Sequence, residues 1–347
     1  VLRLFPAFAL LLISFSLSCA VQAQSQSQLR VLTSIKPLQL IAAAVQDGVG
    51  QPDVLLPPGA SPHHYALRPS DVRRVREADL LYWIGADLES FLPRVLAGRD
   101  KPSVAVQDVP GMSLRHFGDS EKQHAEHQDD HADHADHADH ADHADHADHA
   151  DHADHADHAD HAHAADQHDH AHRPGSLDAH LWLLPANARV IAGKIAADLA
   201  QADPANAARY QANAKAFSER LDALDQRLKS RLNGLAGKPY FVFHEAYDYF
   251  EAAYGLKHAG VFSVLGEVQP GAQHVAAMRK RLQQAGPTCV FSEPPFRPRL
   301  AQTLTAGLPV TLAELDALGG ALPVDASGYE ALLENMAGEL AGCLEAL

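Results

Sequence analysis

Histidine dominates the chemistry available to this chain, with 24 in 347 residues. Seventeen of them lie between His124 and His172, most in an Asp-His-Ala unit repeated from Asp130 to His161. Each imidazole offers a nitrogen to a divalent ion and the interleaved aspartates offer oxygens. His131, His134, His137, His140, His143, His146, His149, His152, His155, His158 and His161 therefore form a string of weak metal sites. His124, His127, His168, His170 and His172 extend that composition beyond the perfect repeat.

The seven histidines outside the tract are a different matter. His63 and His64 sit in PGASPHHYALRPSD, just past the strand-like DVLLP. His180 sits in LDAHLWLLP, in the turn ahead of a helix, and His244 ends the strand-like YFVFH where the next helix begins. Junctions of this kind collect at the carboxyl edge of a parallel sheet, where open α/β folds bind ligands. Three neutral imidazoles make a good shell for zinc, at about 2.1 Å per nitrogen in a tetrahedron, and leave one position for water, a carboxylate or another histidine. His116, His258 and His274 read as ordinary surface histidines.

The elements that would position these residues alternate between strand and helix. LRVLTSI, QPDVLL, DLLYWIG and KPSVAVQDV read as strands, with helices beginning at Pro37, in PSDVRRVREA (capped by Ser70 or Asp71) and in ESFLPRVLAG. After the tract, LPANARVIAGKIAADLAQ is an amphipathic helix. From Pro204 to about Leu235 a long helix carries Tyr210, Phe217, Leu221, Leu224, Leu228 and Leu232 at three- and four-residue steps. KPYFVFH, HAGVFSV, PTCVFSE and LPVTLAEL are then strands, separated by EAYDYFEAAYG, QPGAQHVAAMRKRLQQAG and RPRLAQTLTAG as helices, and SGYEALLENMAGELAGCLEAL closes the chain. The expected fold is α/β: a lobe over 29–200, a connecting helix over 204–235 and a second lobe over 238–347, with mostly parallel sheets. A repeat of three matches neither the strand nor the helix period, and alanine is its only apolar residue, so the segment 120–173 is expected to belong to neither core.

Composition narrows the function further. The formal net charge is −16, but the stretch from His124 to His172 holds 15 acidic residues and no lysine or arginine, leaving 29 acidic against 28 basic elsewhere. Nothing supplies the basic footprint of a nucleic-acid partner. The first 23 residues, one arginine ahead of an apolar run and VQA before Gln24, read as a signal peptide directing export. Cys19 would leave with it. Cys289 and Cys343 then remain as an even pair in an oxidising compartment, either bridged or as two buried thiols.

Taken in order, PGASPHHYALRPSDVRRVREADLLYWIG, DAHLWL, FVFHEAYDYF, TCVFSEPPFRP and LDALGG, on either side of a histidine-rich segment, resemble the ZnuA-type solute-binding proteins of zinc ABC importers. The resemblance runs from about residue 29 to the C-terminus, apart from the tract. It implies two α/β lobes linked by a rigid helix, one zinc ion in the cleft between them, and delivery of that ion to a membrane permease by a periplasmic monomer. It places the three histidine ligands at His63, His180 and His244 and a disulfide at Cys289 and Cys343. Related manganese binders have a Glu where His244 stands and use an Asp matching Asp316, so His244 favours zinc.

The chain departs from the family pattern in three places. Pro62 stands where some zinc members have a Glu ahead of the first ligand, which leaves Asp316, water or a tract histidine as the fourth. DAH replaces the usual DPH, and His64 stands where Asp is frequent; His64 reads as a neighbour of the ligands. Glu293 is a candidate to hold a ligand imidazole by its far nitrogen. A zinc hydrolase is disfavoured, since HEAYD lacks the second histidine of HExxH and there is no GxSxG. The competing expectation is a storage protein in which the tract alone binds metal.

Overall fold

The computed structural model describes residues 29–118, 175–263, 271–293 and 298–347. The expected signal peptide with Cys19, and the tract from His124 to His172, lie outside the described residues.

Two four-stranded parallel sheets organise the chain. The first contains β1 (Val31–Thr33), β2 (Asp53–Val54), β3 (Leu80–Trp83) and β4 (Ser103–Ala105) in the order β2-β1-β3-β4. Its helices are α1 (Lys36–Val45), α2 (Pro69–Glu77) and the single turn α3 (Pro93–Leu96). The second contains β5 (Tyr240–His244), β6 (Gly260–Ser263), β7 (Thr288–Ser292) and β8 (Val310–Glu314) in the order β6-β5-β7-β8, with α6 (Asp248–Tyr254), α7 (Ala272–Ala285), α8 (Pro298–Thr305) and α9 (Gly328–Glu345). Between the sheets run α4 (Pro185–Ala202) and α5 (Ala207–Leu232). In each sheet the order reverses beside the first strand, the place where a crevice opens beyond the strand ends.

The connecting helix behaves as its spacing predicts. All six apolar positions of α5 are buried, so one stripe faces α4, α1 and α9 while the charged face meets solvent. Arg220 Nε donates to Glu330 Oε1 at 2.6 Å and Arg227 to Glu334 at 2.7 Å, which tie α9 to α5. The last helix also reaches the first lobe: a Cβ built on Gly328 would stand 2.7 Å from Leu40 of α1. It therefore packs on both halves of the molecule.

Strand parity aims His244. In β5, Phe241 and Phe243 enter the small outer core with Phe262, Met278 and Leu282, whereas Tyr240 and Val242 enter the large core shared with α5. Alternation gives His244 the parity of Tyr240 and Val242, on the face turned toward the first lobe.

Three elements differ from the sequence expectation. ESFLPRVLAG yields only the turn Pro93–Leu96, preceded by a turn in which Leu92 N donates to Glu89 O at 2.9 Å. KPSVAVQDV is strand only to Ala105, with a 3-10 turn at Val106–Asp108. Asp71 does not stand at the N-cap of α2; it lies within the first turn, where its Oδ2 accepts from Arg68 N at 2.9 Å. Cys289 and Cys343 are bonded across a separation of 54 residues. That link joins β7 to α9 and, by chain entropy alone, contributes about 4 kcal/mol.

Glu89 is fully buried at the carboxyl edge of the first sheet. It accepts from Ser34 beyond β1 and from the amides of Ile84 (3.2 Å) and Gly85 (3.0 Å) beyond β3. Burial pushes its pKa up to about 7, against the hydrogen bonds that lower it. An unfolded glutamate ionises near 4.5, so between that value and 7 the folded chain keeps a proton the unfolded chain has lost. Stability falls as pH rises through this window, by about 3 kcal/mol from this group. In Glu89→Gln that part of the pH dependence should vanish, read as the difference in urea unfolding free energy between pH 5 and pH 8. An unchanged difference would refute the assignment.

Candidate metal centre

His63, His180 and His244 come together. One nitrogen of each lies within 4.8 Å of the others, and ring centroids are 5.4 Å (His63 to His180), 5.2 Å (His63 to His244) and 4.8 Å (His180 to His244) apart. His180 and His244 are buried and His63 is partly so. Each arrives by a different route. His63 follows β2 on a proline-rich loop in which Gly59 takes φ 76°, and Ser61 Oγ accepts from its amide at 3.1 Å. His180 precedes a 3-10 turn leading to α4, whose first residue, Pro185, cannot use an amide donor and starts a helix without loss. His244 is the last residue of β5.

Two of the imidazoles are oriented from behind. His180 Nδ1 lies 2.7 Å from Asp178 Oδ1, and the same oxygen accepts from the His180 amide at 3.0 Å. Asp178 is 1% exposed. Burial pushes its carboxyl well above the ordinary range, and the nearby Asp248 and Glu245 reinforce this. A cation on the opposite ring nitrogen supplies the charge that such a carboxylate lacks. His244 Nδ1 lies 2.8 Å from Glu293 Oε1, at ion-pair distance, as the sequence suggested. Glu293 Oε2 in turn accepts from Tyr247 Oη at 2.8 Å. With Nδ1 of His180 and His244 turned to carboxylates, Nε2 of each is the nitrogen available for metal, a division of labour usual in metal centres.

Sequence reasoning missed Asp178. Its signal was the Asp-x-His spacing, which lets the carboxylate fold back on the ring and the amide of the same histidine. It also missed Trp182, whose ring meets His180 edge-on at 5.4 Å and whose Nε1 donates to Ala317 O across the lobes at 2.9 Å. The structure does not bring Asp316 into the histidine group. Its Oδ1 accepts from Leu318 and Gly319 at 2.9 Å and its Oδ2 from Gly320 at 2.8 Å. His64 is exposed, its ring 6.4 Å from that of His63. His116 is exposed and His274 partly buried. His258 is a correction: it is 8% exposed, because Gly255, at φ 69°, ends α6 in the left-handed conformation and the chain folds His258 back against Glu251.

Comparison with known proteins decides the family. The model of the family described as zinc-uptake complex component A, periplasmic (ZnuA), matches residues 31–343. The chain belongs to the ZnuA family. It is 36% identical over 316 residues to the high-affinity zinc uptake system protein ZnuA of Yersinia pestis, covering 91% of each chain. With the protein of that name from Haemophilus influenzae it shares 38% over 339 residues, covering 96% of this chain and 98% of the relative. Among solved structures, a crystal structure of ZnuA superposes with a TM-score of 0.67 at 21% identity, covering 91% of this chain and 98% of that one. The solute-binding protein FpvC of Pseudomonas aeruginosa, in complex with Mn2+, gives a TM-score of 0.67 at 20% identity, covering 92% and 99%. At these identities the structures attest the fold. Membership makes this a periplasmic component of a zinc-uptake complex and a transport protein with no catalytic duty. Proteins of the ZnuA family work with a membrane permease.

The carboxylates behind the rings lead to a measurable consequence. Asp178→Asn and Glu293→Gln each keep the side-chain shape while removing the charge, and each should weaken zinc binding about 10- to 100-fold. A chelator-competition titration reads this directly, and affinities equal to the unaltered chain would show that the carboxylates do not orient the ligands.

Proposed function

We propose that His63, His180 and His244 hold zinc in the cleft of this ZnuA-family protein, and that the chain passes the ion, as a monomer, to the permease of an ABC importer. The observation that carries this reading is the meeting of three imidazoles from both halves of the molecule, with ligand nitrogens within 4.8 Å. Tetrahedral zinc needs its nitrogens about 3.4 Å apart, so side-chain shifts of about 1 Å close the shell. Histidine at all three positions suits zinc, with imidazole also acceptable to nickel and copper. The fourth position is open to Asp316, water or a tract histidine; Asp316 Oδ2 accepts one amide, that of Gly320 at 2.8 Å, and keeps a lone pair that a metal could use. The relatives' shared name, high-affinity zinc uptake system protein, supports the same cargo and a tight site.

The His/Asp-rich segment 120–173 serves the cleft as an accessory. Its repeated single-histidine sites bind zinc weakly and raise its concentration near the cleft. Residues 29–200 and 238–347 act as the two lobes about the helix of 204–235.

A competitive zinc titration of the full chain, and of the chain lacking His124 to His172, separates the cleft from the tract. One tight site should survive the deletion and be lost on replacing His63, His180 or His244 by Ala. Loss of tight binding on deletion alone would make the tract the binding element and the protein a store. The tract histidines should protonate near the ordinary value of about 6.5. Lowering pH from 7.5 to 6 should therefore strip the tract's zinc while the cleft keeps its ion, and simultaneous loss from both would refute two classes of site.

A further inference from the structure

A second group of metal-ligating side chains stands on the second lobe, apart from the three histidines: Asp248, Glu251 and His258, with one potential ligand atom of each within 4.8 Å of the others. Its assembly is local. Asp248 and Glu251 are three residues apart on α6 and so share a helical face. The left-handed turn at Gly255 then returns the chain, and His258 Nδ1 arrives 2.9 and 3.0 Å from the two oxygens of Glu251.

The three members are unequally satisfied. Glu251 is 2% exposed and also accepts from Tyr240 Oη at 2.6 Å and from the His258 amide at 3.2 Å. Asp248 is 8% exposed, yet the cationic nitrogens nearest its Oδ1 are Lys257 Nζ at 3.8 Å and His258 Nδ1 at 3.9 Å. Both exceed hydrogen-bond distance. A nearly buried carboxylate held at such distances from its counter-charges gains from a cation that can bond it directly. One imidazole and two carboxylates form a donor set suited to zinc and other divalent transition ions.

We propose that Asp248, Glu251 and His258 form a second divalent-cation site on the face of α6, distinct from the cleft centre. Binding is an exchange in which the metal enters between the two carboxylates and His258 Nδ1, and any proton on that nitrogen leaves to solvent. The plain alternative is an ion pair of Glu251 with His258 that takes no metal, and the two are separable.

The experiment is anomalous diffraction at the zinc edge from crystals of the full chain grown with excess zinc chloride. The expected result is a peak at about 2.1 Å from His258 Nδ1, in contact with Asp248 and Glu251 and resolved from any peak among His63, His180 and His244. In Asp248→Asn the second peak should disappear and the cleft peak persist. Among the described residues Asp248 shows only the longer ion contacts to Lys257 and His258, and the persisting cleft peak reports that the variant is folded. Zinc in the cleft with nothing between Asp248, Glu251 and His258 would overturn the proposal, as would a peak there undiminished in Asp248→Asn. A peak at the second site with none among the three histidines would instead refute the cleft assignment and leave this one standing.

Discussion

Three imidazole nitrogens from separate parts of the chain must be held a few ångströms apart, and the rest of the structure answers to that requirement. No single element can supply them, because His63, His180 and His244 are separated by 117 and 64 residues of chain. They meet only if the lobes keep a constant spacing. The buried stripe of α5 and the double packing of α9 maintain it, and hydrogen bonds close to the ligands refine it. Tyr249 of the second lobe accepts from Arg115 N at 2.8 Å and donates to Asp178 O at 3.0 Å, while Trp182 of the first donates to Ala317 O of the second. Tyr329 Oη closes the circuit on Trp182 O at 2.6 Å.

These contacts give the aromatic residues two duties. Trp182 packs against His180 and bridges the lobes; Tyr247 supports Glu293 behind His244 and also reaches Leu315 O at 2.8 Å, next to Asp316. Ligand orientation and lobe position are therefore set by the same side chains. A buried carboxylate behind an imidazole is costly without a cation nearby, so Asp178 and Glu293 are better accommodated with metal present than absent. The centre is prepared for charge as well as for shape.

Much of this was legible in the residue order. Strand and helix alternation gave the two-sheet α/β architecture, and the three- and four-residue spacing in α5 named every side chain it buries. His63, His180 and His244 fell at strand ends or helix starts, which set them apart from His116, His258 and His274; His64 shares the junction of His63 and was set aside only by the resemblance to the family. Asp178 and the His258 cluster were harder to see. An aspartate two residues before a histidine has many local uses, and a histidine after a short helix looks exposed until the turn at Gly255 is known to fold it inward. Asp316 was named by its motif, and the structure adds what holds it: the amides of Leu318, Gly319 and Gly320 donate to its carboxylate.

Periodicity and turn chemistry are local properties, so the sequence by itself determined the elements, their order, the buried stripe of the connecting helix and the candidate ligands. Which of those ligands meet, and what stands behind each ring, was decided only by tertiary structure. Parallel strands bring distant strand ends to one edge, and a metal shell closes or fails over about an ångström, a distance governed by the packing of α5 and α9 and by hydrogen bonds between residues far apart in the chain.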